Sequence, residues 1–97
     1  MGFFGFGKSY SKEDLQREIT KLQCLYRQAI GSDATNKSKS ELKIELSNQL
    51  QTVLTVCRKG GFNGMETVEW SPTGPTRGWY SSLNSVTPAV QVLIEMM

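Results

Sequence analysis

The chain contains 97 residues, of which 38% are hydrophobic and 21% are charged, and its formal net charge is +2. This length predicts one small domain, residues 1–97, which buries a modest core and leaves no room for a second domain. The balance of apolar and charged residues excludes a disordered chain, and no apolar run is long enough to span a bilayer.

The first ten residues, MGFFGFGKSY, contain a match to the phosphate-loop pattern G-x-x-x-x-G-K-[S/T] at residues 2–9. A phosphate loop also needs a strand before it and a second strand that ends in a metal-binding aspartate. We expect no strand before this motif. The only aspartates, Asp14 and Asp33, fall at a predicted helix start and in a polar loop. We therefore expect the motif not to bind nucleotide, and we interpret it as the approach to a helix.

Phenylalanines and glycines alternate within residues 1–10, which we expect to form a flexible aromatic segment. Phe3, Phe4 and Phe6 gain little from exposure to water, yet the glycines make the segment entropically costly to order within the domain's own core. The sequence therefore favours contact with a partner. Packing against the domain itself and a shallow membrane contact are the two alternatives.

A first helix is predicted over about residues 11–30. Ser11 and Asp14 have the spacing of a capping box, in which two side chains satisfy the first backbone groups of a helix. Gly31 can adopt the left-handed conformation that ends a helix, and a polar loop follows it. Apolar residues between these signals recur at helical steps of three and four: Leu15, Ile19, Leu22, Leu25, Tyr26, Ala29 and Ile30.

A second helix is predicted to follow the box formed by Ser38 and Glu41 and to end near Lys59, before two glycines. Its β-branched stretch TVLTVC favours a strand on propensity alone. The apolar stripe nevertheless continues through that stretch in helical phase, so we predict a helix. This stripe consists of Leu42, Leu46, Leu50, Val53, Leu54 and Cys57. The two helices are expected to form an antiparallel hairpin over residues 11–59, packed through Ile19, Leu22, Tyr26, Leu46, Leu50 and Val53.

Residues 60–97 are rich in glycine, proline, serine and threonine before a final apolar run. The segments ETVEW and RGWYSSL are predicted to pair as a short β-hairpin around the turn SPTGPT, with a structured Pro/Gly loop as the alternative. Thr87 and Pro88 have the pattern of a helix start, and the nearly all-apolar run AVQVLIEMM predicts a short, buried C-terminal helix. The fold class predicted for the whole chain is therefore mainly α.

The chain lacks the residues that most catalytic and metal sites require. It has no histidine, and its two cysteines, Cys24 and Cys57, fall inside helical patterns without a C-x-x-C spacing. Glu66 and Glu69 are three positions apart, a spacing more typical of solvated surface than of a catalytic acid pair. We expect no metal, no cofactor and no catalytic activity. With no export signal recognised, we expect reduced cysteines and a cytoplasmic location.

Charge is distributed unevenly along the chain. Residues 1–59 hold ten Lys and Arg against six Asp and Glu, whereas residues 60–97 hold one Arg against three Glu. The cations form a candidate basic rim on the helical hairpin: Lys12, Arg17, Lys21, Arg27, Lys37, Lys39 and Lys43. Acidic residues interleave with these cations, as in ordinary helix-face ion pairs. A nucleic-acid-associated regulator is therefore the alternative prediction and not the preferred one.

The aromatic residues around the Pro/Gly turn are the remaining candidates for a site. Trp70, Trp79 and Tyr80 either cap the helical hairpin or contact a partner. We predict a small, non-catalytic interaction or oligomerisation module, whose partner is another protein or a copy of itself, with a homo-oligomer expected. The residues predicted to contact that partner are Phe3, Phe4, Phe6, Trp70, Trp79 and Tyr80.

Overall fold

A computed structural model describes residues 10–72 and 79–97 of the chain. The mainly helical fold predicted from the sequence is confirmed, with a β-hairpin between the helical hairpin and the last helix. In chain order the elements are α1 Lys12–Ala29, α2 Lys39–Gly60, β1 Thr67–Glu69, β2 Tyr80–Ser82 and α3 Leu83–Met96.

Capping boxes fix the starts of α1 and α2. The Ser11 hydroxyl accepts a hydrogen bond from the Asp14 N–H at 3.1 Å, and the Asp14 carboxylate accepts one from the Ser11 N–H at 2.8 Å. Ser38 and Glu41 repeat this arrangement at the start of α2. Each box satisfies backbone donors that a helix start leaves without intrahelical partners. The β-branched stretch in α2 is helical, as its apolar phase predicts.

The two long helices pack antiparallel and contribute most of the core. The side-chain amide of Gln49 in α2 donates to the backbone carbonyl of Glu18 in α1 at 2.9 Å. The Tyr26 ring meets the Trp70 ring edge to face, with 5.3 Å between centroids. The buried cluster consists of Leu15, Ile19, Leu22, Leu46, Leu50, Val53, Val56, Val68, Trp70, Leu83, Val86, Val90 and Ile94. All six residues predicted to join the helices belong to it or, in the case of Tyr26, pack against it.

The two strands form an antiparallel hairpin in which Val68 lies opposite Ser81 and Glu69 opposite Tyr80. Val68 is buried, while its neighbours in β1 are exposed, as alternation across a pleated strand requires. The hydrogen-bonding pattern continues beyond β1, because the Trp70 N–H donates to the carbonyl of Trp79 at 3.1 Å.

Side chains of α1 hold the edge of β1 that faces away from β2. The amide of Gln16 forms two hydrogen bonds with the backbone of Glu69. Two helical turns further along α1, the side-chain oxygen of Gln23 accepts a hydrogen bond from the Ser71 N–H at 2.7 Å. Arg27 donates to the Ser71 carbonyl at 3.2 Å. These three residues lie at steps of seven and four, so one helix face binds the strand edge.

The start of α3 differs from the prediction. The helix begins at Leu83 and not at Thr87, which places Pro88 inside its second turn. The backbone N–H groups of Leu83 and Asn84 donate to carbonyls of the preceding loop, at 2.9 Å to Glu66 and 2.8 Å to Gly64. Because these tertiary bonds satisfy the first helical donors, the helix starts without a side-chain cap.

Candidate interaction surface

The last helix carries apolar residues on two of its sides. Leu83, Val86, Val90 and Ile94 form its buried face and join the core. Among the 14 residues of α3, Glu95 is the one with a charged side chain. A surface helix normally shows one apolar stripe and a charged opposite face. The composition of α3 is therefore typical of a helix that is covered on more than one side.

The second apolar side of α3 faces outward. We call it the outer α3 face and define it by Pro88, Ala89, Val92 and Met96, all of them exposed. Val92 has 54% and Met96 79% of its surface accessible. Steps of four relate Pro88, Val92 and Met96, so these three side chains lie along one line of the helix.

Polar side chains bound the outer α3 face on one flank. Gln91 donates to the carboxylate of Glu95 at 3.2 Å, one helical turn further on. An apolar stripe with a polar rim has the arrangement found at protein interfaces. The nearly all-apolar run AVQVLIEMM predicted a buried helix, whereas Val92 and Met96 on this face are exposed.

A groove lies where α2 meets the start of α3, and we call it the α2–α3 groove. It is open to solvent and has a volume of about 220 Å³. Its lining consists of Leu54, Cys57, Phe62, Asn63, Gly64, Leu83, Asn84 and Thr87. Burial raises the pKa of the Cys57 thiol, with the nearby negative charge of Glu66 as a second cause. The thiol therefore adds to the uncharged surface of the groove.

The aromatic residues of the β-hairpin divide between core and surface. Trp70 is only 4% exposed and packs on Tyr26, which agrees with the alternative in which it caps the helical hairpin. Its position on the inward side of the strand, in line with Val68, explains the burial. Trp79 and Tyr80 are 41% and 57% exposed and so remain accessible.

The other predicted contact residues, Phe3, Phe4 and Phe6, lie outside the described residues, as does the phosphate-loop match at residues 2–9.

Both aspartates considered for metal binding form ion pairs with arginines. Asp14 contacts Arg17 at 2.7 Å, and Asp33 contacts Arg27 at 3.2 Å.

Ion pairs neutralise several cations of the predicted basic rim. Besides the pairs of Arg17 and Arg27, Lys37 contacts Glu45 at 2.6 Å and Lys21 lies 3.6 Å from Glu18. A nucleic-acid surface needs cations that are available to phosphates. The interleaving of charges inferred from the sequence is therefore present in the folded hairpin, and it weakens the basic rim as a phosphate-binding surface.

Neither cysteine forms a disulfide. Cys24 is exposed on α1, and Cys57 is half-buried in the α2–α3 groove. Within residues 10–72 and 79–97, no three His, Cys, Asp or Glu side chains come together in a way that could hold a metal ion. In the same part of the chain, no helix combines the length and the hydropathy that crossing a membrane requires.

Comparison with known proteins returned no match of this chain to a family model, to a curated protein or to a solved structure.

Proposed function

We propose that this chain is a small, non-catalytic interaction module that binds another protein or a second copy of itself through the outer α3 face. The observation that carries the proposal is a line of apolar side chains, Pro88, Val92 and Met96, exposed along a helix with a single charged residue. Exposed apolar surface with a polar rim is typical of sites that are buried on association.

A second copy is the first partner to test. The outer α3 face contains no charged side chain, so two copies can meet there without placing like charges together. Ala89, about one turn before Val92 on this face, has a small side chain that leaves room for close approach of a second helix. A single 14-residue helix provides a small interface, so we expect a weak and reversible association.

Trp79 and Tyr80 are proposed as a second contact region on the same module. Their exposed rings offer large area at low cost in side-chain entropy, a common property of interface residues. We also propose a cytoplasmic location, in which Cys24 and Cys57 remain reduced.

The decisive experiment compares two Glu substitutions by size-exclusion chromatography with light scattering over a range of concentrations. Val92→Glu places a charge on the outer α3 face and should shift the protein towards monomer. Ile44→Glu is the matched control, since Ile44 is a similarly exposed aliphatic residue, 62% accessible, on α2. Equal effects of both substitutions would contradict the proposed surface.

If the protein stays monomeric at every concentration, the proposed partner is another protein and not a second copy. Capture from source cells should then depend on Val92 and not on Ile44, and it should survive nuclease treatment. Capture that nuclease abolishes would favour the alternative, a nucleic-acid-associated regulator.

A further inference from the structure

The α2–α3 groove has the size of one aromatic side chain. Its volume is about 220 Å³, whereas an apolar cavity of roughly 150 Å³ accommodates benzene. Pockets for drug-sized ligands start at about 300 Å³. Leu54, Phe62 and Leu83 supply apolar surface, so the groove suits a phenyl ring better than a larger or charged molecule.

The described part of the chain begins beside this groove. A side chain at Gly60 would meet the Phe62 ring and, at 3.2 Å, the backbone carbonyl oxygen of Tyr10. Phe62 also lines the groove. Tyr10, the first described residue, therefore lies near the groove, and the nine residues that precede it in the sequence contain three phenylalanines.

We propose that the α2–α3 groove binds the chain's own residues 1–9 and that the Phe6 side chain fills it. Phe6 precedes Tyr10 by four positions, a span of up to about 14 Å in an extended chain. A tether this short gives an effective concentration on the order of millimolar, so weak contacts suffice for occupancy. The groove and its occupant are distinct from the outer α3 face.

The rim of the groove can also bind the backbone of a glycine-rich segment. The side-chain amide of Asn84 has the Met65 sulfur, at 3.7 Å, as its one hydrogen-bond acceptor among the described residues. Sulfur is a weak acceptor, so this amide retains donor capacity for a backbone carbonyl. Glycines on either side of Phe6 allow the backbone to approach closely.

The two cysteines provide the test, because Cys57 lines the groove whereas Cys24 is exposed on α1. Alkylation rates of both thiols are measured in the full chain and after deletion of residues 2–7. The deletion should raise the Cys57 rate roughly three- to tenfold, the protection expected of one docked phenyl ring after its ordering cost. The Cys24 rate should stay unchanged.

Single substitutions keep the test decisive if the deletion perturbs folding. Phe6→Ala should raise the alkylation rate of Cys57 as the deletion does, whereas the matched control Phe3→Ala should leave that rate unchanged. A synthetic GFFGFGKS peptide in excess should restore protection of Cys57 in the deletion variant. Equal Cys57 rates in the full chain and in Phe6→Ala overturn the proposal.

The concentration dependence identifies the source of the occupant. Protection by the chain's own segment is independent of protein concentration, whereas protection that grows with concentration indicates the segment of a second copy and overturns the proposal. Val92→Glu should leave the alkylation rate of Cys57 unchanged. The alkylation rate therefore tests this proposal alone, and the oligomeric state of Val92→Glu tests the proposed role of the outer α3 face.

Discussion

Gln16 of α1 and Glu69 of β1, 53 positions apart, are joined by two hydrogen bonds between a side-chain amide and the backbone. The Gln16 Nε2 donates to the Glu69 carbonyl at 3.1 Å, and its Oε1 accepts from the Glu69 N–H at 2.8 Å. One primary amide thus supplies the donor and the acceptor that a neighbouring strand would offer. The helix thereby protects a strand edge that could otherwise pair with another chain.

Replacing Gln16 by Ala should destabilise the domain by roughly 1–2 kcal/mol, the net worth of two hydrogen bonds. The Glu69 amide should also exchange its hydrogen faster, since water replaces the Gln16 side chain. Hydrogen exchange followed by NMR measures this change residue by residue. The matched variant Gln16→Glu retains an acceptor for the Glu69 N–H and should keep part of its protection. Unchanged exchange of Glu69 in Gln16→Ala would contradict the role assigned to this amide.

Leu50 tests the helical core. Its side chain is buried in the cluster between α1 and α2, so Leu50→Ala should cost about 2–5 kcal/mol in the free energy of unfolding. Ile44 lies on the same helix with most of its surface accessible, and Ile44→Ala should change stability by about 0.5 kcal/mol or less. Urea denaturation of both variants gives the comparison, and similar losses would mean that the predicted stripe is not the core.

The parts of the fold that the sequence predicted correctly depend on neighbours in the chain. Capping boxes at Ser11 and Ser38 and apolar steps of three and four are local signals, and they gave both helices within one residue. In α2, the phase of the stripe outweighed the β-branched residues because burial of a helical face contributes more than intrinsic propensity.

The parts that the sequence missed depend on distant partners. The start of α3 is set by carbonyls of Gly64 and Glu66, which accept from the first helical N–H groups, and no local pattern reveals those bonds. The sequence left Trp70 open between capping the helical hairpin and contacting a partner, and only strand alternation, which places it on the core side with Val68, distinguishes the two. The outer α3 face could not be predicted, because α3 has apolar residues on both its buried and its exposed side and their sequence pattern does not distinguish the two.

Asp14 should make stability depend on pH in the acid range. Its pKa is lowered from 3.8 to about 2, first by the hydrogen bond from the Ser11 backbone N–H and then by the Arg17 side chain. Because the pKa in the folded state lies below the unfolded value, the ionised carboxylate stabilises the fold above pH 3.8. This contribution is lost as the pH falls through that value towards about 2.

Asp14→Ala should therefore lower the melting temperature at neutral pH and have a smaller effect at a pH of about 2. Thermal melts of the two proteins across this range measure the difference. The pKa of Glu41 is lowered in the same way, chiefly by the backbone of Ser38, so adding Glu41→Ala should enlarge the effect at neutral pH. A difference between the proteins that does not change with pH would contradict this linkage.

Alanine substitutions at Gly64 and Gly31 distinguish two causes of lost stability, an unfavourable backbone conformation and a steric collision. Both have positive φ angles, +90° and +86°, which any residue with a side chain adopts only at a cost. A side chain at Gly31 would meet nothing within 4 Å, whereas one at Gly64 would collide with the Asn84 side chain. Gly31→Ala should therefore cost about 1 kcal/mol, and Gly64→Ala should cost a further ~0.5–1.5 kcal/mol, because the end of the exposed Asn84 side chain must rotate aside.

The Asn84→Ala substitution identifies the source of that additional loss. If the collision causes it, Gly64→Ala combined with Asn84→Ala should lose clearly less stability than the sum of the two single variants, because removal of the Asn84 amide makes room for the new methyl group. The conformational cost should remain, so the double variant should not regain the stability of the unchanged protein. Urea denaturation of the four proteins provides the cycle, and strict additivity would show that Gly64 is required for its φ angle alone.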